Sequence, residues 1–265
     1  MTRTLMGSEP SLMLKHSERL SSARFVNLSM INDLNISTVQ KREDVITIGS
    51  MVTWSTISED PVLSVWTPIL QDLSRQLGNP QIRHVATIGG NLCTGQEFGD
   101  CLPVLLALDA RLVIRSRLRQ REMAVADYAK DPSFGSSLLH GKLITEVKIP
   151  LPDVSSFQFY RKIRANGARS QSSLAIAAVG LANGNQVSTL RFSISVPGTA
   201  STMCYQTADL LEGANFSRGL YPTILEGILS DLFQGSGISP QKVVIAQVAA
   251  RSLLACLHSI FTAPR

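Results

Sequence analysis

Gln81 to Ala110 reads QIRHVATIGGNLCTGQEFGDCLPVLLALDA. Gly89-Gly90 stand between Thr87-Ile88 and Asn91-Leu92, and an apolar run of helical character, Leu102 to Leu108, follows soon after. A diphosphate needs backbone N–H groups at close range, and glycine alone lets a chain approach without a Cβ in the way. Thr87 and Asn91 add side-chain donors for phosphate oxygens. A tight turn accounts for the same glycine pair as well.

Working outward, Thr53 is placed to cap a short helix ending near Asp60-Pro61. Ser64 is placed to cap a longer one, with Trp66, Ile69, Leu70, Leu73 and Leu77 as its apolar stripe and Gly78 at its stop. Phe25 to Leu28, Val45 to Ile48, Arg111 to Arg115 and Leu143 to Ile149 read as strands. Pro150 and Pro152, with Asp153, Ser155 and Ser156, make a linker. Beyond it, Phe157 to Ile163 and Leu174 to Leu181 are strands, and Asn183-Gly184 turns the chain into a partner strand, Val187 to Val196. Pro222 to Phe233 and Pro240 to Phe261 follow as helices, which predicts an α+β unit whose sheet is covered on one face.

The composition, 44% hydrophobic and 17% charged, suits a globular chain with large buried surfaces. A net charge of +5 is mild. Arg115, Arg117, Arg119 and Arg121 alternate as on a solvated hairpin edge, and no nucleic-acid partner is expected. The four cysteines, Cys93, Cys101, Cys204 and Cys256, lack CxxC spacing, and the four histidines lack ligand spacing, so no metal site is expected. Thiols of this kind suit a reducing cytoplasm. Met1 to Leu5 has no apolar signal region. Gln247, Arg251 and His258 interrupt the longest apolar run, which predicts a packed amphipathic helix and no membrane span. Nucleophile-elbow, HExxH and P-loop motifs are missing, as are the GxGxxG spacing and following acidic residue of a nicotinamide-binding Rossmann unit.

Pro80 to Arg83, Ala86 to Leu92, Asp100, Pro103 and Leu105 to Ala110 together resemble one family without gaps. It is that of the flavin-binding subunits of molybdenum hydroxylases, the xanthine dehydrogenase FAD subunit and the carbon monoxide dehydrogenase medium subunit. The resemblance continues more weakly to about residue 215. It implies an α+β chain with a two-lobed FAD-binding domain of the molybdopterin dehydrogenase (PCMH-like) type over residues 1–152. A remnant of the first lobe would occupy 1–35 and the second lobe 36–152, with a C-terminal α+β domain over 153–265. FAD would lie between the lobes, its diphosphate held by two glycine-rich segments. The second of these is Thr87, Ile88, Gly89, Gly90 and Asn91. Thr94 and Asp100 match positions lining the FAD site, Leu143 and Ile144 an apolar pair near the isoalloxazine ring, and Lys162 a lysine close to the flavin. A cation there stabilises a reduced, anionic flavin.

The first segment, Leu5-Met6-Gly7-Ser8-Glu9-Pro10-Ser11-Leu12, departs from the family pattern. Gly7 is kept and Ser8 stands in place of the second glycine. Glu9 adds an anion and Pro10 removes a donor. The family carries a further strand and helix ahead of this segment, so a shortened first lobe, or one completed by another chain, is expected. The basic pair after Lys162 is also altered, to Arg164-Ala165-Asn166-Gly167-Ala168-Arg169. The implied function is an FAD-holding electron-transfer subunit with no catalytic acid or base of its own. Its partners would be a molybdopterin-binding large subunit and a small subunit with 2Fe-2S clusters, and it would pass electrons to NAD or another acceptor. The alternative is a flavin-free structural subunit.

Overall fold

The computed structural model describes residues 3–6, 24–28, 37–93, 100–130, 142–164, 173–196, 199–233 and 239–262. Strands β1 (Arg3–Met6) and β2 (Arg24–Asn27) pair in parallel. Next come β3 (Val39–Arg42) and β4 (Val45–Gly49), joined by a tight turn in which Glu43 takes a positive φ of 44°. With β5 (Arg111–Ser116), β6 (Gln120–Ala124) and β7 (Lys142–Pro150) they form an antiparallel sheet ordered β3-β4-β7-β5-β6.

Helices α1 (Trp54–Glu59), α2 (Pro61–Trp66), α3 (Pro68–Gln76), α4 (Pro80–Val85), α5 (Ile88–Cys93), α6 (Leu102–Ala107) and α7 (Val125–Lys130) belong to the same unit. Thr53 caps α1 as expected, accepting from Thr56 N at 3.2 Å. The single long helix expected from Ser64 is instead two. The Asp60 carboxylate caps α2 through Val62 N and Leu63 N at 2.9 and 3.0 Å, and Ser64 lies exposed inside that helix. Pro68 cannot donate to the preceding turn and excludes helical backbone at Thr67, so the chain breaks there and restarts with Pro68 at the first position. Gly78 ends the second piece with φ +43°, the left-handed stop its position predicts.

The second unit is an antiparallel sheet ordered β11-β10-β9-β8, from β8 (Phe157–Arg164), β9 (Ser173–Asn183), β10 (Gln186–Ser195) and β11 (Thr202–Met203). The Asn183-Gly184 hairpin forms, with Gly184 at φ +59°. Helices α8 (Tyr205–Leu211), α9 (Tyr221–Phe233) and α10 (Pro240–Thr262) follow. Ile176 and Ala178 of β9 and Phe192 of β10 pack against Ile224 and Ile228 of α9 and Ala249, Leu253 and Leu257 of α10. By length and composition α10 is apolar enough to cross a membrane.

The sheet is covered on both faces, not one. Alternate residues of β9 point opposite ways. Ala175, Ala177 and Val179 therefore join the first unit's core, with Leu70, Leu73, Leu102 and Leu105. The junction is also polar. Arg191 of β10 donates to Leu106 O and Ala107 O at 3.0 and 3.1 Å, satisfying carbonyls at the end of α6, and pairs with Asp109 at 2.9 Å. Ser193 Oγ donates to Pro103 O at 2.6 Å. Strand β8 is an edge, and Gln158 covers it by donating to Trp66 O at 2.7 Å, where α2 ends.

Candidate functional site

The glycine pair is not a loop but the first turn of α5. Thr87 makes it so. Its Oγ accepts from Gly90 N at 3.1 Å and its carbonyl from Asn91 N at 3.0 Å, the pattern of a helix N-cap. A bulge fixes where this turn sits. Val113 pairs with Glu146 and Ile114 with Ile144, so Thr145 is an extra residue in β7. The Thr145 carbonyl accepts from Ser50 N at 2.9 Å, and the Ser50 carbonyl from Gly89 N at 2.9 Å. Ile88 N is likewise held, by Val52 O at 3.1 Å. A Cβ on Gly89 would lie 2.6 Å from Ser50 Cβ and 2.8 Å from Ser50 O. Glycine is thus required at 89 by the chain's own backbone. Thr87 is 1% exposed, and Ile88 is fully buried in the core.

Beyond this turn the expected site residues converge. Asn91 Oδ1 accepts from Cys101 N at 3.2 Å, which anchors the chain beside Asp100. Both Asp100 carboxylate oxygens take Lys162 Nζ, each at 2.7 Å, with side chains only 24% and 14% exposed. This ion pair joins the entry to α6 with β8 of the other sheet. Gln76, at the end of α3, accepts from Lys162 N at 3.3 Å and sets the strand's position. Gly90, Asn91, Asp100 and Lys162 are all half-buried, so each keeps a solvent-facing part. Tyr128 donates to Leu92 O and supports α5 from below, with burial pushing its hydroxyl well above the usual tyrosine range.

Leu143 and Ile144, the expected apolar pair, lie on opposite faces of β7. Consecutive strand residues face opposite ways. Ile144 enters the core at 5% exposure, while Leu143 is half-buried on the other side. Thr94, Gly7 and Ser8, with Glu9 and Pro10, lie outside the described residues. Sequence reasoning missed Ser50 and Gln76. Ser50 acts through its backbone and Gln76 through its side-chain amide oxygen, each on a residue distant in sequence, and neither sits in a motif that marks such a contact. The described residues fit a flavin cofactor through the side chains of Asn91, Asp100 and Lys162 on a half-exposed rim. The N–H groups of Ile88, Gly89, Gly90 and Asn91 already have acceptors within the chain.

Comparison with known proteins agrees with this fold. The solved structure of quinoline 2-oxidoreductase from Pseudomonas putida 86 superposes with a TM-score of 0.83, covering 97% of this chain and 90% of that one. At 19% identity, that likeness establishes the fold. Glyceraldehyde dehydrogenase medium chain of Sulfolobus acidocaldarius is 25% identical over 176 residues, 66% of this chain and 62% of the relative. Nicotinate dehydrogenase FAD-subunit of Eubacterium barkeri is 32% identical over 144 residues, 54% of this chain and 47% of the relative. The matches thus span about half to two thirds of those relatives' lengths. Residues 1–152, which include the glycine turn and Asp100, match the family described as FAD binding domain in molybdopterin dehydrogenase, and the chain belongs to that family.

Proposed function

We propose that this chain is the FAD-holding electron-transfer subunit of a molybdenum hydroxylase. The observation that carries the reading is the meeting of Asn91, Asp100 and Lys162 at one half-exposed rim beside the glycine turn. FAD, when bound, supplies the redox chemistry, and the protein supplies orientation and electrostatics. Lys162 offers an ammonium at that rim, and Asp100, its ion-pair partner, fixes where that ammonium sits and offsets its charge. Asn91 holds the backbone of the α6 entry in place. Thr87, Gly89 and Gly90 shape the turn that the cofactor's diphosphate approaches. None of these residues needs to move a proton. A large subunit carrying molybdopterin would oxidise the organic substrate. A small subunit carrying 2Fe-2S clusters would deliver electrons, and NAD or another acceptor would receive them. All four cysteines are thiols, which supports a reducing, cytoplasmic setting.

A second reading, a flavin-free structural subunit, draws on one observation. The N–H groups expected to face the diphosphate are engaged by Ser50, Val52 and Thr87. The absorbance spectrum of the chain purified with its partner subunits separates the two. Flavin bands at one FAD per chain are expected. Their absence from a complete complex would overturn the flavin reading.

A further inference from the structure

Four arginines, Arg115, Arg117, Arg119 and Arg121, crowd the tip of the β5–β6 hairpin, and all four are exposed. Without them the chain's net charge of +5 would be close to neutral. Lys142, opposite Ser116 on β7, adds a cation at the hairpin's base. Glu122 is the acid nearest to them in sequence, and its carboxylate is already held by Lys148 and Arg111. Among the described residues no ion pair engages Arg115, Arg117 or Arg119.

The apex itself is apolar. Leu118 stands between Arg117 and Arg119 and is 89% exposed. It is held forward by a closed turn, in which Ser116 N and Oγ donate to Arg119 O at 2.8 and 3.0 Å and Arg119 N donates to Ser116 Oγ at 3.1 Å. The register spreads the charge around this apex. Cross-strand partners share a face, and consecutive residues take opposite faces. Arg115 pairs with Gln120 and Ile114 with Arg121, so Arg115 and Arg121 flank the hairpin on opposite faces. A groove or a flat protein surface would meet one of those faces and leave the cations of the other in solvent. A surface that is anionic at its boundary and apolar just beneath receives the hairpin end-on. Leu118 then enters the apolar layer while the guanidinium groups around it meet phosphates, for which their planar donors are suited.

We infer that the β5–β6 hairpin is a peripheral docking element for an anionic phospholipid surface. The contact is made at the headgroups, spans nothing, and does not depend on the flavin reading.

The probe is a vesicle of equal parts phosphatidylglycerol and phosphatidylcholine, with phosphatidylcholine alone as its neutral counterpart. Flotation of the full-length chain with each gives a partition coefficient. Binding to the anionic vesicles and none to the neutral ones is expected at about 0.1 M salt, with most of it lost at about 0.5 M. Arg117→Gln with Arg119→Gln should weaken it about twenty-five-fold, about fivefold for each cation withdrawn from the lipid surface. Leu118→Ser should weaken it about tenfold while keeping the salt dependence. Val244→Ser, at an exposed position of the apolar helix α10, should change nothing. All these positions are exposed, so the variants are expected to keep the parent's circular dichroism. The inference fails if the anionic vesicles do not bind, or if the arginine pair or Leu118 can be changed without effect. It fails if Val244→Ser releases the chain and Leu118→Ser does not, which would place the lipid contact on α10. It also fails if a short DNA duplex binds more tightly than the vesicles and Leu118→Ser affects neither, because the hairpin would then serve a soluble polyanion.

Discussion

Replacing Gly89 by alanine tests whether the glycine turn is positioned by Ser50. The added Cβ would lie 2.6 Å from Ser50 Cβ and 2.8 Å from Ser50 O, closer than real Cβ contacts come. One of the two backbones must move, because no flexible side chain is there to give way. Overpacking of this kind costs about 1–3 kcal/mol. The shift also strains the Gly89 N to Ser50 O hydrogen bond, 2.9 Å in the parent, worth about 1 kcal/mol more. The sum, about 2–4 kcal/mol, corresponds to a fall in Tm of roughly 5–15 °C for a chain this size. Thermal unfolding followed by circular dichroism reads it directly. Gly184→Ala is the control. Its φ of +59° penalises any side chain, yet a Cβ there meets nothing within 4 Å. That change should cost about 1–2 kcal/mol from backbone conformation alone. Adding Ser50→Gly to Gly89→Ala removes the 2.6 Å contact but not the 2.8 Å one, so it should recover part of the loss. If Gly89→Ala is no more costly than Gly184→Ala, Ser50 does not explain the glycine.

Gly90→Val adds bulk at a half-exposed position of the same turn, and flavin should be lost while most of the fold is kept. Unchanged FAD stoichiometry in the purified variant would refute a role for that face. Asp100→Asn leaves Lys162 half-buried without its counter-ion and should destabilise the chain by about 1–3 kcal/mol, with Lys162→Met costing less when combined with Asp100→Asn than alone. A double-mutant cycle by urea unfolding with no coupling would show that the pair contributes nothing. Arg191→Met should cost about 1–2 kcal/mol by unsatisfying the end of α6, and an unchanged urea midpoint would count against that capping role. Burial raises the Cys256 thiol from 9.0 to about 12, and burial with the nearby Asp231 holds Cys204 well above the usual thiol range. Above about pH 9 the unfolded chain sheds protons that the folded chain keeps, so stability falls as pH rises, by up to about 1.4 kcal/mol per unit per thiol. Cys256→Ala should flatten that decline, and a urea midpoint constant from about pH 8 to 10.5 would contradict it.

What was legible in the sequence is what is decided locally. The Asn183-Gly184 hairpin, the Thr53 cap and the Gly78 stop each depend on residues within a turn of one another, and each forms. Strand β3 and strand β6 were not legible, because VQKR and QREMA are short, polar and largely exposed edges that borrow their order from β4 and β5. Residues 174–179 announce a strand but not which of its faces is covered. That both are covered follows only from α6 docking onto it. The glycine pair shows the same limit at the site itself. Two adjacent glycines read alike whether a phosphate or the chain's own backbone needs the space. Here Ser50 claims that space at Gly89, and the Thr145 bulge holds Ser50 in place. Gly90 sits one residue further toward solvent. A loss of flavin after changing Gly89 would therefore report on folding as much as on binding, whereas a loss after changing Gly90 reports on the face that a cofactor can reach.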